Sequence, residues 1–398
     1  MAKHYLGNRG MELIDLIFEK DLYIPFNEVQ IHSSKGTLVT SGIGRFCKNE
    51  ELEIIVDSDL SDWREVLSFP RKAGGGIIFE EDMLTAYGKS SSISMKARGV
   101  QDEKTGEIPN IFRAKEVRLE IENNSPDNYT VTRLTSFPSI FRAETLRSMS
   151  HFQVGGHWVF PSMKVEVAGK SFILFSKDGY FLHSEHKADQ EYIKCETALL
   201  TALGFAASQY IDIAARYEAN SSSLTLRQTV KSTDQWHSPI KWGNADEVNL
   251  VRLVAELIHA DKTNRLKPII RHYLTSPDIL FVPVRNLHIC ILIEGLLTEL
   301  QKIRQWRYQK TLKAKYDKAF KELKLPKNEN EFKVFEKVGN DLAHGKISDP
   351  YSLDDEDAQA EYDKLGILTN IFNKLVLGAA RYCGPYFDFT NQDNLRLN

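Results

Sequence analysis

Between residues 184 and 190 the spacing of apolar residues changes from every second position to every third or fourth, and the new period persists through much of the remaining chain. Side chains alternate across a strand but recur on one face of a helix about every 3.6 residues, so the two patterns demand different layers. The change divides the chain into a β-rich part, 1–186, and a helical part, 187–398, which makes the fold class α+β. At 398 residues and 42% hydrophobic content, there is enough apolar material for two cores.

In the first part, short runs rich in Val, Ile, Phe and Tyr are separated by turn residues. They are Thr37–Ser41, Leu52–Val56, Gly76–Phe79, Ser92–Arg98, Glu116–Glu122, Tyr129–Leu134, Trp158–Val167, Ser171–Ser176 and Tyr180–His183, with Asp178-Gly179 as a hairpin turn. Mainly antiparallel strands in a sandwich or open barrel are expected. Gly74-Gly75-Gly76 lacks the Lys-Ser/Thr of a phosphate loop, and Gly42-Ile43-Gly44 is an incomplete dinucleotide fingerprint; both read as backbone features. His183 and His186 read as a surface cluster at the domain boundary, since no further ligand pair has suitable spacing.

In the second part, Asp189 to about Tyr217 predicts one long apolar helix, ended by Asn220 and Ser221–Ser223. Helices are also predicted over Asp246–Ala260, shortly before Pro277, from Pro283 onward, and over Tyr362 to about Arg381. Glu294, among Ile291, Leu292, Leu296 and Leu297, is expected to be a buried carboxylate with a partner on a neighbouring helix. Ser348–Ala360, with Asp354, Asp355, Glu356 and Asp357, reads as an exposed acidic loop.

The helix opened by Pro283 is expected to continue beyond Leu300 and turn basic. From Lys302 to Lys327, ten Lys and Arg stand against Asp317 and Glu322, with Trp306, Tyr308 and Tyr316 interleaved. Cations neutralise phosphates with release of counterions, and aromatic rings stack on unpaired bases, so the mixture suits RNA. Arg304, Arg307, Lys310 and Lys313 are the candidate contacts; a solvated lysine-rich face is the competing reading.

Glu329–Lys346 predicts a helix with two faces: Phe332, Phe335, Val338 and Leu342 on one side, Lys337, Asn340 and His344 on the other. Gly345 stands where helices commonly stop in the left-handed conformation, which would hold His344 in the last turn. The hexapeptide Asn340-Asp341-Leu342-Ala343-His344-Gly345 resembles the motif of the HEPN superfamily, and the β-rich then helical order resembles the ApeA-like group of anti-phage HEPN proteins. The resemblance implies an all-α HEPN-type bundle for 187–398 and a metal-independent endoribonuclease acting in antiviral defence by abortive infection. It further implies RNA, tRNA included, as substrate, a homodimer through the helical domain with two motifs facing each other, and a sensor or regulatory role for the β-rich part, with a phage-derived trigger. The site residues it implies are Lys337, Asn340, Asp341 and His344. The chain departs from the motif at its Arg: in the commonest spacing that position is Gly339, and Lys337 is the basic residue within the looser spacing.

An RNA strand carries its own nucleophile, the 2′-hydroxyl, so cleavage needs proton transfer and stabilisation of charge on the phosphorus centre. His344 fits the proton transfer. Asn340, one turn earlier, could orient the imidazole or contact a phosphate. No metal and no cofactor are expected. With Gly339 in place of the Arg, a catalytically inactive HEPN module that binds RNA or a protein partner is the alternative, and plain dimer packing of the His344 helix is a third.

The net charge of −3 hides no basic half: residues 1–185 carry 22 Lys and Arg against 26 Asp and Glu, and the remainder 29 against 28. Cys47, Cys195, Cys290 and Cys383 have no C-x-x-C spacing and read as buried thiols of a cytoplasmic protein. The start of the chain has no apolar stretch of signal-peptide length, and no membrane span is expected.

Overall fold

The computed structural model describes residues 14, 22–32, 36–46, 52–56, 84–90, 93–102, 111–121, 128–135, 150–154, 158–176, 180–228, 238–240, 247–343, 355–389 and 393–397. Strands β1 (Leu22–His32), β2 (Thr37–Phe46), β3 (Leu52–Val56), β4 (Leu84–Lys89), β5 (Ile93–Asp102) and β6 (Ile111–Arg113) pair in the order β4-β1-β2-β3-β6-β5. A further β4–β5 pairing closes the ring, where the sequence predicts a sandwich or an open barrel. Its interior is filled by Phe26, Val29, Ile31, Phe46, Ile54 and Phe112, each nearly or fully excluded from solvent. The glycines of β2 make room: a Cβ on Gly42 would stand 2.4 Å from the carbonyl of Ile55, and one on Gly44 2.9 Å from the rings of Phe26 and Phe46. That is close packing rather than nucleotide binding. Gly74–Gly76 and Asp178-Gly179 lie outside the described residues.

Past Ala114 and Lys115 the chain of β6 continues as β7 (Glu116–Ile121) and changes neighbour, from β3 to β14 (Ser223–Arg227). The sheet then runs β14, β13 (Ile213–Glu218), β8 (Thr130–Leu134), β12 (Tyr180–Ser184), β11 (Lys170–Ser176), β10 (Trp158–Val167) and β9 (Ser150–Val154), antiparallel throughout. Alternation gives it two buried faces. Phe172, Leu174 and Leu182 join the helical core, while Phe175, Phe181 and Val131 join the core of the barrel.

Seven α-helices are found among the described residues: α1 (Gln190–Ala207), α2 (Glu247–Ala260), α3 (Leu266–Leu274), α4 (Val282–Ile303), α5 (Leu312–Glu322), α6 (Glu329–Ala343) and α7 (Asp355–Ala379). None is long and apolar enough to cross a membrane. A short hairpin, β15 (Pro385–Asp388) with β16 (Asp393–Arg396), follows α7.

The helical part is therefore not all α. The helix expected over Asp189–Tyr217 stops at Ala207, where Ser208 turns left-handed (φ 53°) and the Gln209 amide bonds back to the Gly204 carbonyl at 3.0 Å. The apolar run beyond it, Ile213–Tyr217, is strand β13, inserted with β14 between β7 and β8. A short apolar run has no period that separates strand from helix, and here the open edges of β7 and β8 select the strand. Glu196 of α1 fastens the helix to that hairpin: fully buried, it accepts hydrogen bonds from Thr132 Oγ1 at 2.7 Å and Tyr192 at 3.3 Å and pairs with Arg216 of β13.

Glu294 lacks the expected burial but has the expected partner on a neighbouring helix, Lys315 of α5. Its side chain is 57% exposed and lies 4.0 Å from Lys315, because it shares the outward side of α4 with Ile291 and Thr298. Buried carboxylates in the helical part instead include Glu196, Glu299 and Glu331. Of the expected acidic loop, 348–354 lie outside the described residues, while Asp355, Glu356 and Asp357 form the first turn of α7, a favourable place for negative charge against the helix dipole.

Candidate functional site

Helix α6 begins where Asn328 accepts a hydrogen bond from the Asn330 amide at 2.9 Å, with Glu329 and Glu331 in its first turn. Phe332 and Phe335 are buried against Tyr316 of α5, with ring centroids 5.0 and 6.3 Å apart, and Tyr316 stacks on Phe320 at 4.1 Å. Val338 packs on the same core. Glu331 meets Lys374 of α7 at 2.6 Å, both side chains at most 5% exposed. Burial raises the Glu331 carboxyl above its usual value, against the opposing pull of the Lys374 ammonium. The same burial, joined by the charges of Glu331 and Asp317, pushes the Tyr316 phenol up.

With one side of α6 locked, the other faces solvent. Lys337 and Asn340 are exposed and Asp341 is half-buried. Gly339 lies between them, and a Cβ added there would meet nothing within 4 Å. Helix α6 runs through Ala343; His344 and Gly345 lie outside the described residues. The two-faced reading of this segment thus holds for Phe332, Phe335, Val338, Lys337 and Asn340.

The continuous basic helix does not form. Helix α4 ends at Ile303, Gln305 is left-handed (φ 54°), and the Trp306 amide bonds to the Gln301 carbonyl at 2.9 Å, a closed helix terminus. Helix α5 then starts afresh with Thr311 capping the Ala314 amide at 3.2 Å. The four candidate RNA contacts separate accordingly. Arg304 turns inward and donates to the Ala379 carbonyl near the end of α7, where burial and the nearby Arg381 lower its pKa from the ordinary arginine value. Arg307, Lys310 and Lys313 are exposed, with no ion-pair partner among the described residues. Of the aromatics, Tyr316 is buried and Trp306 packs on the core, whereas Tyr308 is 70% exposed. Lys318 and Lys327 are held by Glu322 at 2.7 Å and Asp317 at 2.9 Å.

Two further features had no signal in the sequence reading. A cleft of about 370 Å³ opens beside the barrel, lined by Leu22, Ile24, Pro25, Ile93, Leu119 and Leu224. Glu191, Cys195 and His259 bring a carboxylate, a thiol and an imidazole together. His183 and His186 are not the surface pair that the sequence predicts: His183 is buried, and the half-buried His186 accepts from the Ser171 amide through Nε2 at 3.4 Å. Cys195 and Cys290 are buried thiols as expected, Cys383 is exposed, and Cys47 lies outside the described residues. Compared with known proteins, the chain matches no family model, no curated protein and no solved structure.

Proposed function

We propose that the exposed side of α6 and the residues that follow it form the active site of a HEPN-type endoribonuclease, working as a dimer through the helical region. The observation that carries this reading is the exposure of Lys337 and Asn340 on a helix whose opposite side is fixed by Phe332, Phe335 and the Glu331–Lys374 pair. A rigid helix with an exposed polar side leading to a histidine is a suitable support for proton transfer, which requires a general base held within hydrogen-bond reach of its proton. In the reaction, His344 takes the proton of the 2′-hydroxyl, whose oxygen attacks the adjacent phosphorus. The P–O5′ bond breaks, the 5′-oxygen leaves with a proton, and a 2′,3′-cyclic phosphate remains. Asn340 and Lys337 contact the phosphate, and Arg307, Lys310 and Lys313 neutralise the strand further away. The anti-phage role, and a sensing role for the barrel and its sheet, rest on the resemblance to ApeA-like proteins.

One observation favours a second reading. Gly339 supplies no cation where the motif has Arg, which fits a module that binds RNA or a protein partner without cutting. Incubating the purified chain with a labelled RNA in excess chelator, with folding checked by circular dichroism, separates the two. Cyclic-phosphate ends that disappear in His344→Ala and weaken in Asn340→Ala support the nuclease. RNA bound but uncut supports the binding module, and cleavage indifferent to His344→Ala removes this site from consideration.

A further inference from the structure

The first turns of α1 and the last turn of α2 lie side by side, and three side chains that sequence spacing keeps far apart converge there. Glu191 and Cys195 stand four residues apart, on one face of α1; His259 comes from α2. A carboxylate oxygen, the thiol sulfur and an imidazole nitrogen all lie within 4.8 Å of one another. Exposure is graded across them: Cys195 is fully buried at the back, the His259 side chain is 17% exposed, and that of Glu191 is 56% exposed at the mouth. A hydrogen bond of 2.7 Å between His259 Nε2 and Glu191 Oε1 already holds the imidazole toward the carboxylate.

This is the donor set of a borderline-soft divalent ion. Sulfur and imidazole disfavour magnesium and calcium, which take oxygen ligands, and a thiolate with a carboxylate balances a 2+ charge. A tetrahedral zinc ion with metal–ligand bonds of about 2.0–2.3 Å keeps its ligand atoms roughly 3.3–3.8 Å apart. Reaching that from the present separations takes a shift of about 1 Å in the Glu191 and His259 side chains, which rotation about their own bonds supplies. We propose that Glu191, Cys195 and His259 form a zinc site that ties the start of α1 to the end of α2, with its fourth position open to solvent beside Glu191. The site stands apart from α6 and does not depend on the ribonuclease reading. The competing account is a surface ion pair, Glu191 with His259, in front of a packed thiol that binds nothing.

Cobalt(II) is the probe, because a thiolate-to-metal charge-transfer band reports sulfur ligation and intense visible bands report four-coordination. The full chain, stripped with chelator and desalted, is expected to take up one cobalt per chain with both signatures and to lose them when zinc is added. Cys195→Ser should abolish the charge-transfer band, while Cys290→Ser and Cys383→Ser keep it. His259→Gln and Glu191→Gln, nearer the surface, should weaken zinc binding by roughly 10- to 100-fold or more while the far-ultraviolet spectrum stays unchanged. Zinc should also raise the thermal midpoint of the parent and leave that of His259→Gln in place. The proposal is overturned if stoichiometric cobalt gives no charge-transfer band, or if the band survives Cys195→Ser. Should Cys195→Ser fail to fold, an unchanged zinc affinity in folded His259→Gln overturns it equally.

Discussion

Gly339→Arg separates the stability of α6 from its chemistry. Glycine inside a helix costs about 1 kcal/mol relative to a good helix former, so arginine should stabilise α6 by up to that amount. Nothing lies within 4 Å of the added Cβ, so no clash subtracts from the gain and no packing adds to it. Glu336, exposed one turn earlier, is the nearest competitor for the guanidinium on the same helix, and such a pair is worth only about 0.2–0.5 kcal/mol. The chemical effect should be larger. A preorganised donor to the charge of the transition state is worth on the order of 3 kcal/mol, or about 100-fold in rate, and a guanidinium can grip a phosphate through two hydrogen bonds. The expected outcome is a slightly higher urea midpoint and cleavage of a fluorogenic RNA about 100-fold faster than the parent, at equal concentration of folded dimer and in excess chelator. Both rates should collapse in His344→Ala. A folded, dimeric Gly339→Arg that cuts no faster would refute the reasoning, and His344→Ala on the parent would then tell whether another cation already serves or the histidine has no role.

Other outcomes follow from the same contacts. Lys374→Met, which strands the buried Glu331 carboxylate, should cost about 3–5 kcal/mol in urea unfolding, and Glu331→Leu added to it should recover most of the loss; an additive double variant would contradict a coupled pair. The triple variant Arg307→Glu, Lys310→Glu, Lys313→Glu should weaken RNA binding and flatten its dependence on salt, whereas Arg304→Ala should lower stability and leave the salt slope unchanged; equal slopes for all three proteins would return the segment to a solvated face. Burial, and then the charge of Lys170, lower the His186 pKa from 6.5, so the unfolded chain binds a proton more readily than the native one. The stability linked to this neutral imidazole is present above pH 6.5 and is lost as pH falls below it, and His186→Gln should flatten that slope in denaturation midpoints measured from pH 7 to pH 5.

Where one pattern ran long enough, the sequence was sufficient. Leu52–Val56 and Trp158–Val167 are strands with the bounds their alternation gives, and the helix over Glu247–Ala260 differs by one residue from expectation. The strands that escaped notice have mixed patterns: β1 holds Pro25, Asn27 and Glu28 and shifts register between Phe26 and Val29. The break at Gln305 escaped because the closed terminus uses no glycine, and a helix that turns basic looks the same as one that ends. In the candidate site, the side of α6 carrying Lys337 and Asn340 was legible from period alone. The Glu331–Lys374 pair was not, since its partners are 43 residues apart and nothing local marks either as buried. The same holds for Glu191, Cys195 and His259, joined only by the packing of two helices.

The placement of β13 and β14 constrains the order in which this molecule can be made. The hairpin sits between β7 and β8, yet it is synthesised after β12 and the whole of α1. As the chain emerges from the ribosome, the barrel and the β8–β12 segment exist before the hairpin that joins them, and for about a hundred residues of synthesis β7 presents an unpaired edge. A chain halted or cut near residue 186 would keep both edges open and stay prone to pairing with its neighbours. The helical half is thus also the source of the strands that complete the sheet.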